Sequence, residues 1–270
     1  MQATHDISIA GHFGELIQGR MGPNGDVALI SLPCPKLHVR LSHKTGPFAF
    51  TQTPQDILNT DDIDALFHAL SAEKSGAFHL THDMPAGGGA GASTAARVAV
   101  IKALSPDLLP EDIARICFQT EGAVDPLMYP NADHMLWASR TGAVHTMFSP
   151  LPEGDLIGGF LDKSERTDAR DANFADITDL IAKWPDIRTL HDMAQLTTLS
   201  AQRNHKTRGH HDDPTFDIAQ EIGALGVVVA HTGSARGFLF DRGGIPEDAQ
   251  AILTASGLRG LCQFSFGGPS

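Results

Sequence analysis

Residues 85–96 read Pro-Ala-Gly-Gly-Gly-Ala-Gly-Ala-Ser-Thr-Ala-Ala, and few local structures accommodate such a segment. The alternating stretch Ala77 to His82 before it predicts a strand. The stretch Ala92 to Leu104 after it predicts a helix that turns Ala95, Val98, Ala99, Ile101 and Leu104 toward a core. Glycines allow the backbone to bend with positive φ and to approach a ligand with no Cβ in the way. Successive N–H groups can then converge beside a helix N-terminus, which carries partial positive charge and suits an anion. Ser93 and Thr94 add hydroxyls in the first turn, where a phosphate oxygen or Mg²⁺ could be met. A flexible turn with a small-residue helix packed behind it is the plainer alternative. The loop is not of the GxxxxGK[ST] type, because no lysine follows the glycines. Nor does a dinucleotide fingerprint fit, since no acidic residue ends a second strand about 20 positions later.

Around this loop the pattern alternates between strand and helix. Asp6–Ala10, Val27–Leu32 and Lys36–Leu41 read as strands, with Pro33 ending the second and Met21–Asp26 forming a turn. Helices are expected at Asp62–Ala72, Ala92–Leu104 and Pro110–Glu121, the last with Pro110 at its start and Glu111 and Asp112 in its first turn. A short irregular piece follows, and then a strand at Gly142–Phe148. The Pro-rich stretch 149–154 divides the chain into 1–150 and 151–270. Beyond it come a strand at Leu156–Leu161, helical patterns over Phe174–Gln202, a helix at Pro214–Ile222 and a buried strand at Gly226–His231. Arg236–Phe240 pairs with that strand, and a helix at Pro246–Ala255 and a strand at Gly260–Phe266 close the chain. This alternation, with no long βαβ repeat, predicts an α+β fold.

Composition narrows the partners. The net charge of −12 and the absence of a Lys/Arg cluster argue against nucleic acid, though backbone N–H groups and a cation could still hold a compact polyphosphate. No apolar run is long enough to cross a bilayer, and Met1–Asp6 lacks the pattern of a signal peptide, so a cytoplasmic protein with no membrane partner is expected. The cysteines, Cys34, Cys117 and Cys262, suggest neither a disulfide framework nor a zinc site. His205, His210 and His211 with Asp212 and Asp213 read as a solvated, mobile connector between helices.

Several acids stand near the loop in the expected order of elements. Glu121 ends a helix, where a carboxylate gains nothing from the dipole, so it is either a cation ligand or an exposed helix-end acid. Asp125, before Pro126, is either a substrate-facing acid or an ordinary turn residue. Glu15, between Gly14 and Gly19, is placed at the rim of a substrate or nucleotide site. Thr232-Gly233-Ser234 reads as a loop closing over phosphates, and His231 as a core histidine.

Pro85, Gly89, Gly91 and Ser93 in the pattern Pro-x-x-x-Gly-x-Gly-x-Ser resemble the ATP loop of the GHMP kinase superfamily (galacto-, homoserine, mevalonate and phosphomevalonate kinases). Gly11–Gly19, with its Glu15-Leu16-Ile17-Gln18-Gly19 core, is similar to the N-terminal motif of the L-threonine kinase branch, linked to cobalamin synthesis and propanediol utilisation. Asp125–Pro130, Ser200–Asn204 and Gly223–Ser234 also fit that branch. The resemblance implies a ribosomal-protein-S5-like N-terminal domain carrying the phosphate loop and a ferredoxin-like C-terminal domain closing the cleft. It implies ATP and Mg²⁺ as cofactors, a small-molecule alcohol as acceptor and a possible homodimer. The loop Pro85, Gly87, Gly88, Gly89, Ala90, Gly91, Ala92, Ser93 and Thr94 would hold ATP, and Ser93 and Glu121 would be the metal ligands. Asp125 and Ser93 would be catalytic, and Glu15, Asp125, Thr232, Gly233 and Ser234 would meet the acceptor, L-threonine first. Ala92 stands where the family usually has serine, and Ala96 where the threonine-kinase branch tends to have aspartate. Glu121 and Asp125 are one residue further apart than in that branch's common form. A kinase for another small alcohol, such as homoserine or a sugar, and a non-catalytic nucleotide-binding protein therefore stay open. Arg20 and Arg97 are the candidate cations for the transferred group.

Overall fold

The computed structural model describes residues 5–161, 171 and 173–268. Met1 to Thr4, part of the N-terminal segment read above, lie outside the described residues. The first half runs β1 (His5–Arg20), β2 (Val27–Lys44), β3 (Ala49–Thr53), α1 (Thr60–Ala69), β4 (Ala77–His82), α2 (Ala92–Leu104), α3 (Pro110–Glu121), β5 (Met135–Ala138) and β6 (Ala143–Met147). The second runs β7 (Gly154–Phe160), α4 (Thr178–Lys183), α5 (Leu190–Arg208), α6 (Thr215–Glu221), β8 (Gly226–Val229), β9 (Ala235–Phe240), α7 (Ala249–Ala255) and β10 (Arg259–Phe266). The mixture of strands and helices is the α+β class expected from the pattern.

The strands join in one sheet of order β10-β7-β9-β8-β1-β2-β4-β3, with β5 also on β2 and β6 on β5. Pairing is antiparallel except between β3 and β4. β1 is the shared strand: it pairs along its length with β2, and at Glu15 with Val229 of β8. Register shifts between Ala10 and Gly11, His12 and Glu15, and Glu15 and Ile17 bend β1 here. Gly14, with φ +72°, sits inside this irregular stretch. The distortion frees the His12 N–H to donate to Ala90 O of the glycine loop at 3.1 Å.

Period-2 alternation explains how the second half is buried on both faces. Val227, Val229, Phe238 and Phe240 pack with Ile218, Ala249 and Leu253 of α6 and α7. Their neighbours Val228 and Leu239 face the other way, into the larger core with Met193 and Ala194 of α5. In the first half, the small residues Ala95, Ala96 and Ala99 let α2 lie close against β1 and β2. α1 and α5 both begin with capping boxes, Asn59 with Asp62 and Thr189 with Asp192.

Four expectations need correction. Pro33 does not end a strand, since β2 continues through it to Lys44. The ladder steps from Ala10↔His38 to Gly11↔Cys34, so an irregularity absorbs Pro35, where a missing N–H is harmless. The piece after α3 was expected to be irregular but contains β5. β3 had no strand expectation either, being short and, like β5, paired to distant partners. His205 is not in a connector but in the last turns of α5. Asp213 is not solvated, for its carboxylate receives Arg236 Nε at 3.0 Å and Nη2 at 2.7 Å. The three cysteines are free thiols, and Cys34 and Cys262, distant in sequence, lie close enough to influence each other. No helix among the described residues is long and apolar enough to cross a membrane.

Candidate active site

The glycine loop opens on a cleft of about 250 Å³. Gly87, Gly89 and Gly91 have φ of +73°, +76° and +74°, the left-handed region that a side chain strains. At Gly89 space also demands glycine, because a Cβ there would lie 2.4 Å from Ala230 Cβ. The loop is held from two sides: Ala90 O accepts from His12 N–H, and Gly88 O accepts from Ala235 N–H at 2.9 Å. Gly91 is the N-cap of α2 and supplies no capping side chain, so the first-turn N–H groups of α2 face the cleft end without a side-chain partner. Pro85, Gly87, Gly89, Gly91, Ala92 and Ser93 line the cleft, whereas Gly88, Ala90 and Thr94 sit behind it.

Two polar clusters flank the loop. In the first, Thr94 is 1% exposed and its hydroxyl donates to Glu121 Oε2 at 3.0 Å. The same oxygen accepts the Asp125 N–H at 3.3 Å, so Thr94 ties two acids together rather than facing the cleft. Arg97, also buried, donates to Ser93 Oγ at 2.5 Å and to Asp62 Oδ1 at 2.6 Å, and lies 3.6 Å from Glu121 Oε1. Burial raises the Glu121 pKa against the opposing pull of Arg97, Ser93 and Thr94. Of the two candidate cations, Arg97 therefore lies in the cleft. Arg20 points elsewhere, donating to Gly25 O at 3.1 Å. Asp62, which no sequence pattern singles out, completes this cluster and also closes the capping box of α1.

The second cluster joins β1 to the loop after α3. His12 Nδ1 is 3.3 Å from Glu15 Oε1 and its Nε2 is 3.4 Å from Asp125 Oδ2. Burial works against a charged His12, but Glu15 and then Asp125 outweigh it and raise its pKa to about 9. Glu15 is pushed up to about 7, chiefly by burial and further by Asp125. Burial also opposes the charge of Asp125, yet His12 and, more weakly, Arg140 hold its carboxyl below the usual range. The three donor atoms lie within 4.8 Å of one another, close enough for a metal ion. A protonated His12 between two carboxylates already offsets one of their charges, so the trio is better described as an acid–imidazolium–acid network.

β5 sets the position of Asp125. Trp137 Nε1 donates to Val124 O at 2.6 Å, and Val124 N–H donates to Ser139 O at 2.9 Å. Arg140, immediately after β5, lines the cleft near Asp125. Sequence reasoning missed both Arg140 and His12; the histidine stands inside the Gly11–Gly19 motif, and that was the available signal. Thr232 lines the cleft, Gly233 packs against the backbone of Gly88 and Gly89, and Ser234 is buried, its carbonyl accepting Leu161 N–H at 3.0 Å. His231, expected in the core, lines the cleft instead.

No family model and no curated protein sequence matches the chain. Solved structures do. A crystal structure of mevalonate kinase superposes with a TM-score of 0.68 at 13% identity, covering 97% of this chain and 99% of that one. L. major mevalonate kinase in complex with R-mevalonate gives 0.66 at 13% identity, over 98% and 96%. Streptococcus pneumoniae phosphomevalonate kinase gives 0.62 at 11%, over 99% and 100%. The fold is the GHMP kinase fold. At identities this low the superpositions show the fold alone, and the residues of the cleft have to be judged by their own geometry.

Proposed function

We propose that this chain is an ATP-dependent kinase that phosphorylates the hydroxyl group of a small metabolite, most specifically L-threonine. The observation that carries this reading is that the glycine loop at the start of α2 and the His12–Asp125 pair open on one cleft. The loop offers N–H groups to a polyphosphate, and the pair offers a carboxylate that can receive a proton. In this reading the acceptor oxygen bonds to the terminal phosphorus as the bond to ADP breaks, and the hydroxyl proton passes to Asp125. His12, charged between its two acids, steadies Asp125 while it does so. Glu15 and Arg140 bring opposite charge to the same cleft, which suits an acceptor with both an ammonium and a carboxylate. The division near residue 150 belongs to the same proposal, the first part supplying the loop and the second Thr232, Gly233 and Ser234.

The donor set fits Mg²⁺. Ser93 and Glu121 are hard oxygen ligands at the edge of the loop, and the buried Glu121 carboxylate has a raised pKa, so it gains from added positive charge. When bound, Mg²⁺ would neutralise charge on the phosphates. Arg97 supplies permanent positive charge beside the same two side chains.

The test is ADP release from ATP and Mg²⁺ with L-threonine, homoserine and a panel of sugars. Turnover with L-threonine that is abolished by Asp125→Asn supports the proposal. Turnover confined to another alcohol would replace the acceptor and leave the kinase standing. ATP binding by calorimetry with no turnover across the panel would leave a non-catalytic binding protein.

A further inference from the structure

His231 lies just beyond β8, where the cleft meets a second cavity of about 410 Å³; with Thr232 it lines both. The orientation of its ring is fixed by two neighbours, Gln18 and Phe174. Gln18 Nε2 donates to Val229 O at 2.9 Å, which turns Gln18 Oε1 toward His231 Nδ1 at 3.2 Å. An amide oxygen can only accept, so Nδ1 carries the proton and donates it. Gln18 is itself clamped, its backbone N–H donating to Ser200 Oγ at 2.9 Å. Phe174 stacks on the imidazole with ring centres 4.3 Å apart and planes 12° apart. Arg208 lies 4.6 Å from the centre of the same Phe174 ring.

With the proton on Nδ1, Nε2 presents a lone pair. That nitrogen is buried and has no hydrogen-bond partner among the described residues. A buried acceptor without a donor costs free energy, so the site is complete only when a donor arrives. Burial, then Arg208 and Arg140, push the His231 pKa down to about 3, so the ring stays neutral and keeps its lone pair across the working pH range. Such a ring cannot store the proton released by the reacting hydroxyl. That proton requires Asp125, which leaves Nε2 for a different donor on the same molecule. His231 is also close to the phosphate loop, since Ala230 and Gly233, on either side of it, crowd Gly88 and Gly89.

We propose that His231 Nε2 accepts a hydrogen bond from the amino group of the acceptor, with Gln18 as the positioning residue that fixes the required tautomer. The inference rests on the kinase reading above and names what selects the acceptor: an amino group beside the reacting hydroxyl. The cationic surroundings are tolerated because the acceptor's own carboxylate accompanies the ammonium and faces Arg140.

The experiment pairs an enzyme change with a substrate change. L-Threonine and (R)-3-hydroxybutyrate, which lacks only the amino group, are compared as acceptors for the wild type, His231→Phe and His231→Gln. Phenylalanine keeps the stack on Phe174 and loses the acceptor, whereas glutamine keeps an acceptor. The wild type is expected to prefer threonine in kcat/KM, His231→Phe to lose about 10²-fold of that preference through acceptor KM, and His231→Gln to restore part of it. An equal loss with both acceptors, or no loss, overturns the inference. ¹⁵N NMR of the full-length protein reads the tautomer directly. An Nδ1–H ring in the wild type that becomes mixed in Gln18→Leu supports the inference, and an Nε2–H ring in the wild type overturns it. If neither acceptor is turned over, the L-threonine reading fails by itself. The Nε2 shift on adding L-threonine without nucleotide then decides the inference, supporting it if it moves and overturning it if it does not.

Discussion

His12 Nε2 lies 3.4 Å from Asp125 Oδ2, although one residue belongs to the first strand and the other to the loop beyond α3. The contact gives Asp125 a cationic neighbour that is 2% exposed and therefore hardly screened by solvent. Removing the charge with His12→Gln leaves the buried Glu15 and the partly exposed Asp125 facing each other. A fall in kcat of about 10²-fold with little change in the KM for ATP is expected. Steady-state kinetics of the variant check it, and an unchanged kcat would remove His12 from the mechanism.

The same network makes stability depend on pH. The His12 pKa is raised from 6.5 to about 9, so its stabilisation is complete below about 6.5 and is lost as pH rises through about 9. Glu15 is raised from 4.5 to about 7, so the folded state also holds its proton more tightly, and this contribution is lost as pH rises through about 7. Both effects have the same sign. Thermal unfolding between pH 6.5 and 9.5, above the range in which the lowered pKa of His231 acts with the opposite sign, should show Tm falling with pH, and the fall should flatten in the His12→Gln, Glu15→Gln double variant. A wild-type Tm that rises over that span contradicts the assignment.

Thr94→Val removes the hydroxyl that joins Glu121 to the Asp125 backbone while keeping the side-chain volume. Leaving the buried Glu121 oxygen and the Asp125 N–H without this partner should cost about 1–3 kcal/mol. Urea unfolding measures this cost, and the Mg²⁺ dependence of ATP turnover should weaken at the same time because Glu121 is no longer held. A variant as stable as the wild type would show that solvent replaces the hydroxyl.

Gly233→Ala tests the packing behind the phosphate loop. A Cβ at this position would lie 2.3 Å from Gly88 C and from Gly89 N, and these are backbone atoms that cannot turn aside. The loop must shift, so calorimetry should find ATP binding weakened by about 10-fold or more, on the scale of overpacking a close contact. Undiminished ATP affinity would mean that the nucleotide does not use this loop.

Asp213 and Arg236 form an ion pair whose side chains are only 6% and 12% exposed. Asp213→Ala leaves the guanidinium buried without its partner and should destabilise the fold by about 3–5 kcal/mol. Adding Arg236→Met should recover most of that loss. A double variant no better than the single one would place the cost elsewhere, in the Asp213 bonds to Thr215 at the start of α6.

Local chemistry made much of this molecule legible from its sequence. α2 and α3 run over the expected residues because Gly91, Pro110 and Gly122 punctuate them, and the β8–β9 hairpin follows from an apolar run and a Gly-containing turn. What escaped depends on distant partners. β5 is four residues long and has meaning only through its pairing with β2 and its hold on Val124, so no local pattern reveals it. Arg140 follows from β5 and was lost with it. His231 looked like a core residue because an apolar strand precedes it, yet β8 stops at Val229 and the next residues turn into the cleft. Thr94 carries the opposite lesson: a hydroxyl next to Ser93 in sequence points about one third of a helical turn away, and so belongs to the protein rather than to the cleft.

β1 pairs with β2 on one edge and meets β8 on the other, and it carries His12, Glu15 and Gln18 along the way. It is therefore a rigid floor common to both walls of the cleft. Swinging one wall open about a hinge would tear the Glu15–Val229 pairing and the Gln18 bond to Val229 O, which are the contacts that orient the chemistry. Breathing in this protein has to come from what is hung on the floor, above all the loop before α2, while the strand beneath keeps a fixed datum for both reactants.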